Sequence, residues 1–186
     1  MTGWRCFVAV PIGEDLRAAL SSAVAAWREA PAAEDLRWTD PSGWHATLAF
    51  LGDIDPGRVP GLADALAEVA GRSAPFSLAT GGLGGFPSTR AARVAWYGIA
   101  DPERRLAAIA SAVRASIRLP DDQPFRPHLT LARARGATRV RIDLLISAPA
   151  GMLAVDELVL YRSILGQRPA HYEPLAAARL GVSVHV

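Results

Sequence analysis

The chain has 186 residues, 51% of them hydrophobic and 20% charged, with a formal net charge of +2; that is enough chain to bury about two-thirds of its unfolded surface in one domain, and it is too apolar for intrinsic disorder. No apolar run approaches the roughly 20 residues that span a bilayer. The opening MTGWRCFVAVPIGED has too short an apolar stretch for a secretory signal, so a cytoplasmic protein without membrane association is expected.

In chain order, Arg5 to Pro11 reads as a strand, closed by Pro11 and Gly13. Leu16, Leu20, Val24 and Trp27 then recur at helical spacing and predict a helix from about Glu14 to Arg28. Leu36 to Thr39 suits a short strand, Pro41-Ser42-Gly43 a turn, and Trp44 to Leu51 a strand ended by Gly52. Asp55 followed by Pro56 is a cap-plus-proline start for a helix that runs through Leu62, Leu66 and Val69 to Gly71. Strands follow at Phe76 to Thr80 and Arg93 to Ile99. The glycine-rich stretch Gly81 to Gly85 between them lacks the Lys-Ser/Thr ending of a phosphate-cradling loop and is expected to be a flexible connection. Asp101-Pro102 repeats the cap, with a stripe of Leu106, Ile109, Val113 and Ile117, and Pro120 stops the helix. Pro127 to Ala134 is a strand. Thr138 to Ala148 reads as a short helix or an irregular crossover, and Val155 to Tyr161 and Tyr172 to Leu180 as final strands around a loop at Gly166. The mixed order points to an α+β architecture, a single domain over residues 1–186 with two similar lobes.

Cys6 is the only cysteine, which excludes a disulfide framework and a cysteine-rich zinc site; in its apolar setting it reads as a buried structural thiol. All 20 basic residues are arginine. This matches either an arginine-biased composition or a use of arginine for bidentate phosphate contact. Arg126, Arg133, Arg135, Arg139 and Arg141 crowd one segment, as an anion site or a solvated surface.

The phrase His-x-Thr-Leu occurs twice, at His45-Ala46-Thr47-Leu48 and His128-Leu129-Thr130-Leu131, and takes two of the four histidines. Alternation along a strand puts His45 with Thr47, and His128 with Thr130, on one face, and the intervening apolar residues on the other. If the two polar faces meet, two imidazoles and two hydroxyls line one cleft. Cleavage of a phosphodiester needs a base for the attacking oxygen and an acid for the departing one, and imidazole titrates near neutrality. Threonine hydroxyls can hold the non-bridging oxygens. No metal and no cofactor are required. A zinc site is the rival for paired histidines and would need a third ligand, for which His171 is the candidate; His185, near the C-terminus, reads as exposed.

Arg5 to Ala9, Trp44 to Gly52, Gly85-Phe86-Pro87, Phe125 to Arg133, Leu158 to Ser163 and Tyr172 to Leu175 together resemble the two-histidine phosphoesterases, and within them the bacterial and archaeal RNA 2′,3′-cyclic phosphodiesterases, first named 2′-5′ RNA ligases. The resemblance implies a bilobal, pseudo-symmetric fold of two antiparallel sheets backed by helices, with the cleft between the lobes. It implies hydrolysis of a 2′,3′-cyclic phosphate at an RNA 3′ end, or in a small cyclic nucleotide, to a 2′-phosphate by a monomer. His45 would be proton donor and His128 acceptor, with Thr47, Thr130 and Arg133 on the substrate. A different small cyclic phosphate, a 2′-5′ linkage, or a non-catalytic binder of phosphorylated ligands or RNA ends are the competing expectations. On an ideal strand Arg133 is out of phase with His128 and Thr130, and the small Ala49 and Ala132 leave the cleft's width open.

Overall fold

The computed structural model describes residues 3–120, 124–145, 149–164 and 170–181. The loop around Gly166, the stretch from Ile146 to Ala148, and His185 lie outside these residues.

The first strand, β1 (Trp4–Pro11), is buried on both faces, with Cys6, Val8 and Val10 on one side and Phe7 and Ala9 on the other. A strand that is apolar on both sides belongs in the middle of a sheet. There it pairs antiparallel with β3 (His45–Ile54) and β8 (Glu157–Ile164). The helix α1 (Glu14–Arg28) buries Leu16, Leu20, Val24 and Trp27, the stripe its spacing predicts, and carries Glu14 and Asp15 in its first turn, where the dipole favours anions. Asp55 caps a single 3₁₀ turn, Pro56–Arg58, by accepting from the Gly57 N–H, and α2 (Val59–Gly71) follows directly. Asp101 accepts hydrogen bonds from the N–H groups of Leu106 and Ala107 and so caps α3 (Arg105–Ser116).

Among the described residues nine strands form one curled antiparallel sheet. With β2 (Leu36–Trp38), β4 (Phe76–Phe86), β5 (Val94–Ile99), β6 (His128–Ala134), β7 (Gly151–Val155) and β9 (His171–Arg179), the order is β7-β4-β5-β6-β3-β1-β8-β9, and β2 pairs with β6. The order is a palindrome about the β6/β3 junction. On one side β3 pairs with β1, and His45 lies opposite Pro11; on the other β6 pairs with β5, and His128 lies opposite Gly98. The buried residues of all three helices join Val8, Leu48, Leu129, Leu131 and Leu153 in one core. The helices therefore cover one face of the sheet and leave the other to form a cleft.

The glycine-rich stretch is not a flexible connection. β4 runs through it to Phe86, with a register shift between Thr80 and Leu83. Two of its glycines are packing requirements: a Cβ on Gly84 would stand 2.0 Å from the Trp96 ring of β5, and one on Gly85 2.8 Å from the Ser88 carbonyl. The strand expected from Val155 to Tyr161 is β8, and before it lies an unexpected strand, β7, five residues long on the outer edge of β4. Residues 138–145 are an irregular crossover holding one 3₁₀ turn, Ile142–Leu144, and one bridge from Val140 to Ala92.

Replacing Gly84 by Ala is expected to cost about 1–3 kcal/mol, as overpacking does, and to lower the melting temperature. Gly81→Ala, where a Cβ meets nothing within 4 Å, should be nearly neutral. Equal melting temperatures for the two variants would contradict this reading of β4.

Candidate active site

The two His-x-Thr strands touch at one backbone pair, Ala46 with Leu129, the middle residues of the two phrases. In antiparallel register this sets His45 across from Thr130 and Thr47 across from His128, all four on the face opposite Ala46 and Leu129. The burial agrees. Ala46, Leu48, Leu129 and Leu131 are at most 1% exposed on the helix-covered side, while the four polar side chains are half-buried. The structure thus gathers His45, Thr47, His128 and Thr130 in a diagonal arrangement around one junction.

Beyond each phrase the strand is bulged at the same place. Val8 pairs with Ala49 but Ala9 with Thr47, so Leu48 is an extra residue; Ala95 pairs with Ala132 but Trp96 with Thr130, so Leu131 is another. A bulge of this kind reverses the phase of alternation. Ala132 is fully buried and lines neither end of the cleft, whereas Ala49, 4% exposed, forms part of the wall on the His128 side. Phe50 and Arg133, at equivalent positions of the two phrases, swing onto the cleft face, and this is how Arg133 reaches the site despite its phase on an ideal strand. The bulge carbonyl of Leu131 accepts from both the N–H and the hydroxyl of Thr39, each at 2.8 Å, and Trp44 Nε1 donates to that hydroxyl at 2.8 Å.

Each imidazole is fixed in the same way. His45 Nδ1 lies 2.6 Å from the Gly43 carbonyl and His128 Nδ1 2.6 Å from the Arg126 carbonyl. A carbonyl only accepts, so both Nδ1 atoms carry hydrogen and donate, and each Nε2 is left for the cleft. His45 stacks on Phe7 at 4.7 Å and meets the edge of Tyr172 at 5.3 Å; Phe7 in turn stacks on Tyr161. His128 meets Phe86 edge-on at 5.2 Å and Trp96 at 5.9 Å. Burial pushes the His45 imidazole down to about 4, opposed by its hydrogen bond to Gly43 and reinforced by the neighbouring His128. Burial also lowers His128, against its bond to Arg126 and with the help of the Arg133 charge. Burial thus favours the neutral form of both rings, and a phosphate anion between them would favour the charged form.

The cleft has two ends. A cavity of about 570 Å³ lies on the His45 side, with Arg5, Arg37, Trp38 and Tyr172 in its wall; one of about 810 Å³ lies on the His128 side, with Phe86, Phe125 and Arg126. Thr47, Phe50, Thr130 and Arg133 line both, so the threonine pair stands where the two ends meet.

A family model described as LigT like phosphoesterase matches residues 10–96 and 99–171, most of the chain. The chain belongs to this family. An RNA 2′,3′-cyclic phosphodiesterase of Geobacillus stearothermophilus is 37% identical over 179 residues, 92% of this chain; the chain spans 55% of that relative's length. The protein of the same name from Methanothermobacter thermautotrophicus is 28% identical over 185 residues, 95% of this chain and 98% of the relative. Among solved structures, LigT of E. coli complexed with 3′-AMP superposes with a TM-score of 0.75 at 27% identity, covering 96% of this chain and 98% of that one. A protein of Thermus thermophilus reaches 0.76 at 27% identity, covering 97% and 100%.

Of the LigT-like site, sequence reasoning missed the aromatic settings of the two histidines, the bulges, and Thr39. Phe50 lies in the Trp44 to Gly52 stretch with no sequence signal for a role; at 68% exposure it is an unusually open aromatic. Of the crowded arginines, Arg133 enters the cleft and Arg126 lies over the Phe86 ring. Arg141 pairs with Asp143, and Arg135 and Arg139 are exposed. Cys6 is 1% exposed, and burial raises its thiol pKa, as suits a structural thiol. Among the described residues no group of three or more His, Cys, Asp or Glu could hold a metal, so His171, exposed at the start of β9, does not join His45 and His128 as a third ligand. No helix among the described residues is long and apolar enough to cross a membrane.

Two outcomes follow from the histidine environments. Nitrogen NMR should find both imidazoles neutral and Nδ1-protonated at pH 7, with His45 titrating near 4 and moving upward when inorganic phosphate is added; a His45 midpoint near 6.5 would contradict the burial argument. An unfolded imidazole takes up its proton near 6.5, whereas folded His45 does so only near 4. Unfolding therefore binds a proton between these values, and stability falls as pH drops from about 6.5 to 4. His45→Phe should lose this part of the pH dependence.

Proposed function

We propose that this LigT-like phosphoesterase opens 2′,3′-cyclic phosphates at RNA 3′ ends, or in small cyclic nucleotides, to leave a 2′-phosphate. The observation that carries the reading is the diagonal placement of two histidines and two threonines about the Ala46–Leu129 bridge. It supplies a proton-transfer group on each side of one phosphorus, with a hydroxyl beside each. The names of the relatives point the same way.

In this mechanism the phosphate lodges where the two ends of the cleft meet. Thr47, Thr130 and Arg133 donate to its non-bridging oxygens and stabilise charge that develops there. His128 Nε2 takes a proton from a water that attacks phosphorus. The P–O3′ bond opposite breaks, and His45 Nε2 gives its proton to the departing 3′-oxygen. His128 ends charged and His45 neutral, and exchange with solvent restores the pair. His45 holds its proton only once the phosphate anion has offset the cost of burial, while Arg133 discourages charge on His128 and suits it to the role of acceptor. The scheme uses neither metal nor cofactor, and the enzyme acts as a cytoplasmic monomer.

With chelator present, the purified protein should convert 2′,3′-cyclic AMP to the 2′-phosphate, and His45→Ala and His128→Ala should each lose about 10²-fold or more in turnover. A substrate with sulfur in place of the 3′-oxygen needs no acid for departure. It should rescue His45→Ala and leave His128→Ala impaired. Rescue of His128→Ala instead would exchange the two roles, and binding without turnover would leave the chain a binder of phosphate ends.

A further inference from the structure

Two arginines stand opposite each other in register beside the His45 side of the cleft. Arg37 of β2 is the direct cross-strand partner of Arg133 of β6, both side chains line the smaller cavity, and both residues are exposed. Like charges directly opposite in a sheet are unfavourable. Neither arginine has an ion pair or a ring contact among the described residues. Two arginines that line only the other cavity differ: Arg126 lies over Phe86 and Arg114 over Phe125. The smaller cavity contains one acid, Asp40, whose carboxylate is engaged by the N–H and the hydroxyl of Ser42 at 2.9 and 2.5 Å. Arg5, a third arginine in its wall, stands opposite Asp53 in register. Positive charge thus outweighs negative in this cavity, and Arg37 stands apart from the phosphate-holding group.

The mechanism gives that asymmetry a direction. If His45 protonates the 3′-oxygen, the ribose that bears this oxygen lies on the His45 side, and water enters from the His128 side. The 5′ end of the same ribose then extends into the smaller cavity, toward Arg37. A free cyclic mononucleoside phosphate has no charge there, whereas an RNA chain has a phosphodiester. A planar guanidinium is matched to such a group.

We propose that Arg37 is a specificity-determining residue that reads the phosphodiester immediately 5′ of the cyclic end, and that this one contact is what sets a cyclic terminus on a chain above a free cyclic mononucleotide. The proposal rests on the cyclic-phosphodiesterase reading and names the substrate of the same site. Charge-assisted contact with one phosphodiester is sufficient for about a tenfold preference.

The test compares kcat/KM for a dinucleotide ending in a 2′,3′-cyclic phosphate with that for the corresponding cyclic mononucleotide, in wild type and in Arg37→Gln, whose folding is checked by its melting temperature. Wild type should favour the dinucleotide about tenfold. Arg37→Gln should lose most of that preference through the dinucleotide, while its mononucleotide rate stays within about twofold of wild type. A dinucleotide with an uncharged methylphosphonate linkage should behave like the mononucleotide in wild type and show no further loss in Arg37→Gln. Equal losses on both substrates, or a preference that survives the substitution or the neutral linkage, would overturn the proposal. Turnover of both substrates without preference removes this phosphate contact alone. Turnover of neither removes the cyclic-phosphodiesterase reading on which it rests.

Discussion

A single backbone bridge, Ala46 to Leu129, determines most of what this molecule can do. It is where the two His-x-Thr strands meet, and because side chains alternate along a strand, it commits all four polar residues to the same face. A slip of one residue in either strand would turn that strand's histidine and threonine into the helix-covered core and bring its leucines into the cleft. Register is therefore function here. It is held by the buried faces, since Ala46, Leu48, Leu129 and Leu131 pack in the core that receives α1, α2 and α3.

The bulges carry the same logic one step further. By placing one extra residue after each threonine, they turn Phe50 and Arg133 onto the cleft face and Ala132 into the core. The two positions are equivalent in the palindromic sheet but hold different chemistry, an open aromatic on one strand and a guanidinium on the other. The remaining differences run the same way. Phe7, Tyr161 and Tyr172 surround His45, Phe86 and Trp96 adjoin His128, and on the His45 side Arg37 stands opposite Arg133 in register. A symmetric frame with unlike occupants gives a directional site, which a reaction with distinct attacking and leaving groups requires. The halves of the one sheet are also interlocked in sequence: β1 and β3 are flanked by β8 and β9 from the end of the chain, while β4 and β5 join β6 and β7.

Much of this was legible in the sequence. Helical spacing located the buried stripes of α1, α2 and α3, and Asp55 and Asp101 marked the helix starts, because caps and stripes are local. The histidine and threonine pairs were legible because a repeated phrase on a strand has one face to offer. The glycine run in β4 was misread because local composition records backbone freedom, whereas the cause is the Trp96 ring lying across Gly84 from the next strand. Arg133 seemed out of phase because a bulge is a property of two strands in register. Thr39 gave no signal at all, since its role is to satisfy a carbonyl that only the bulge sets free.

The account stands on two imidazoles flanking one phosphorus, and the most direct measurement is a crystal structure with a nucleoside vanadate that mimics the five-coordinate transition state. The expected result is a single vanadium at the Ala46–Leu129 junction, its two apical oxygens within hydrogen-bond distance of His45 Nε2 and His128 Nε2, and its equatorial oxygens on Thr47 and Thr130. A vanadate held by one histidine only, or bound away from the Ala46–Leu129 junction, would contradict it.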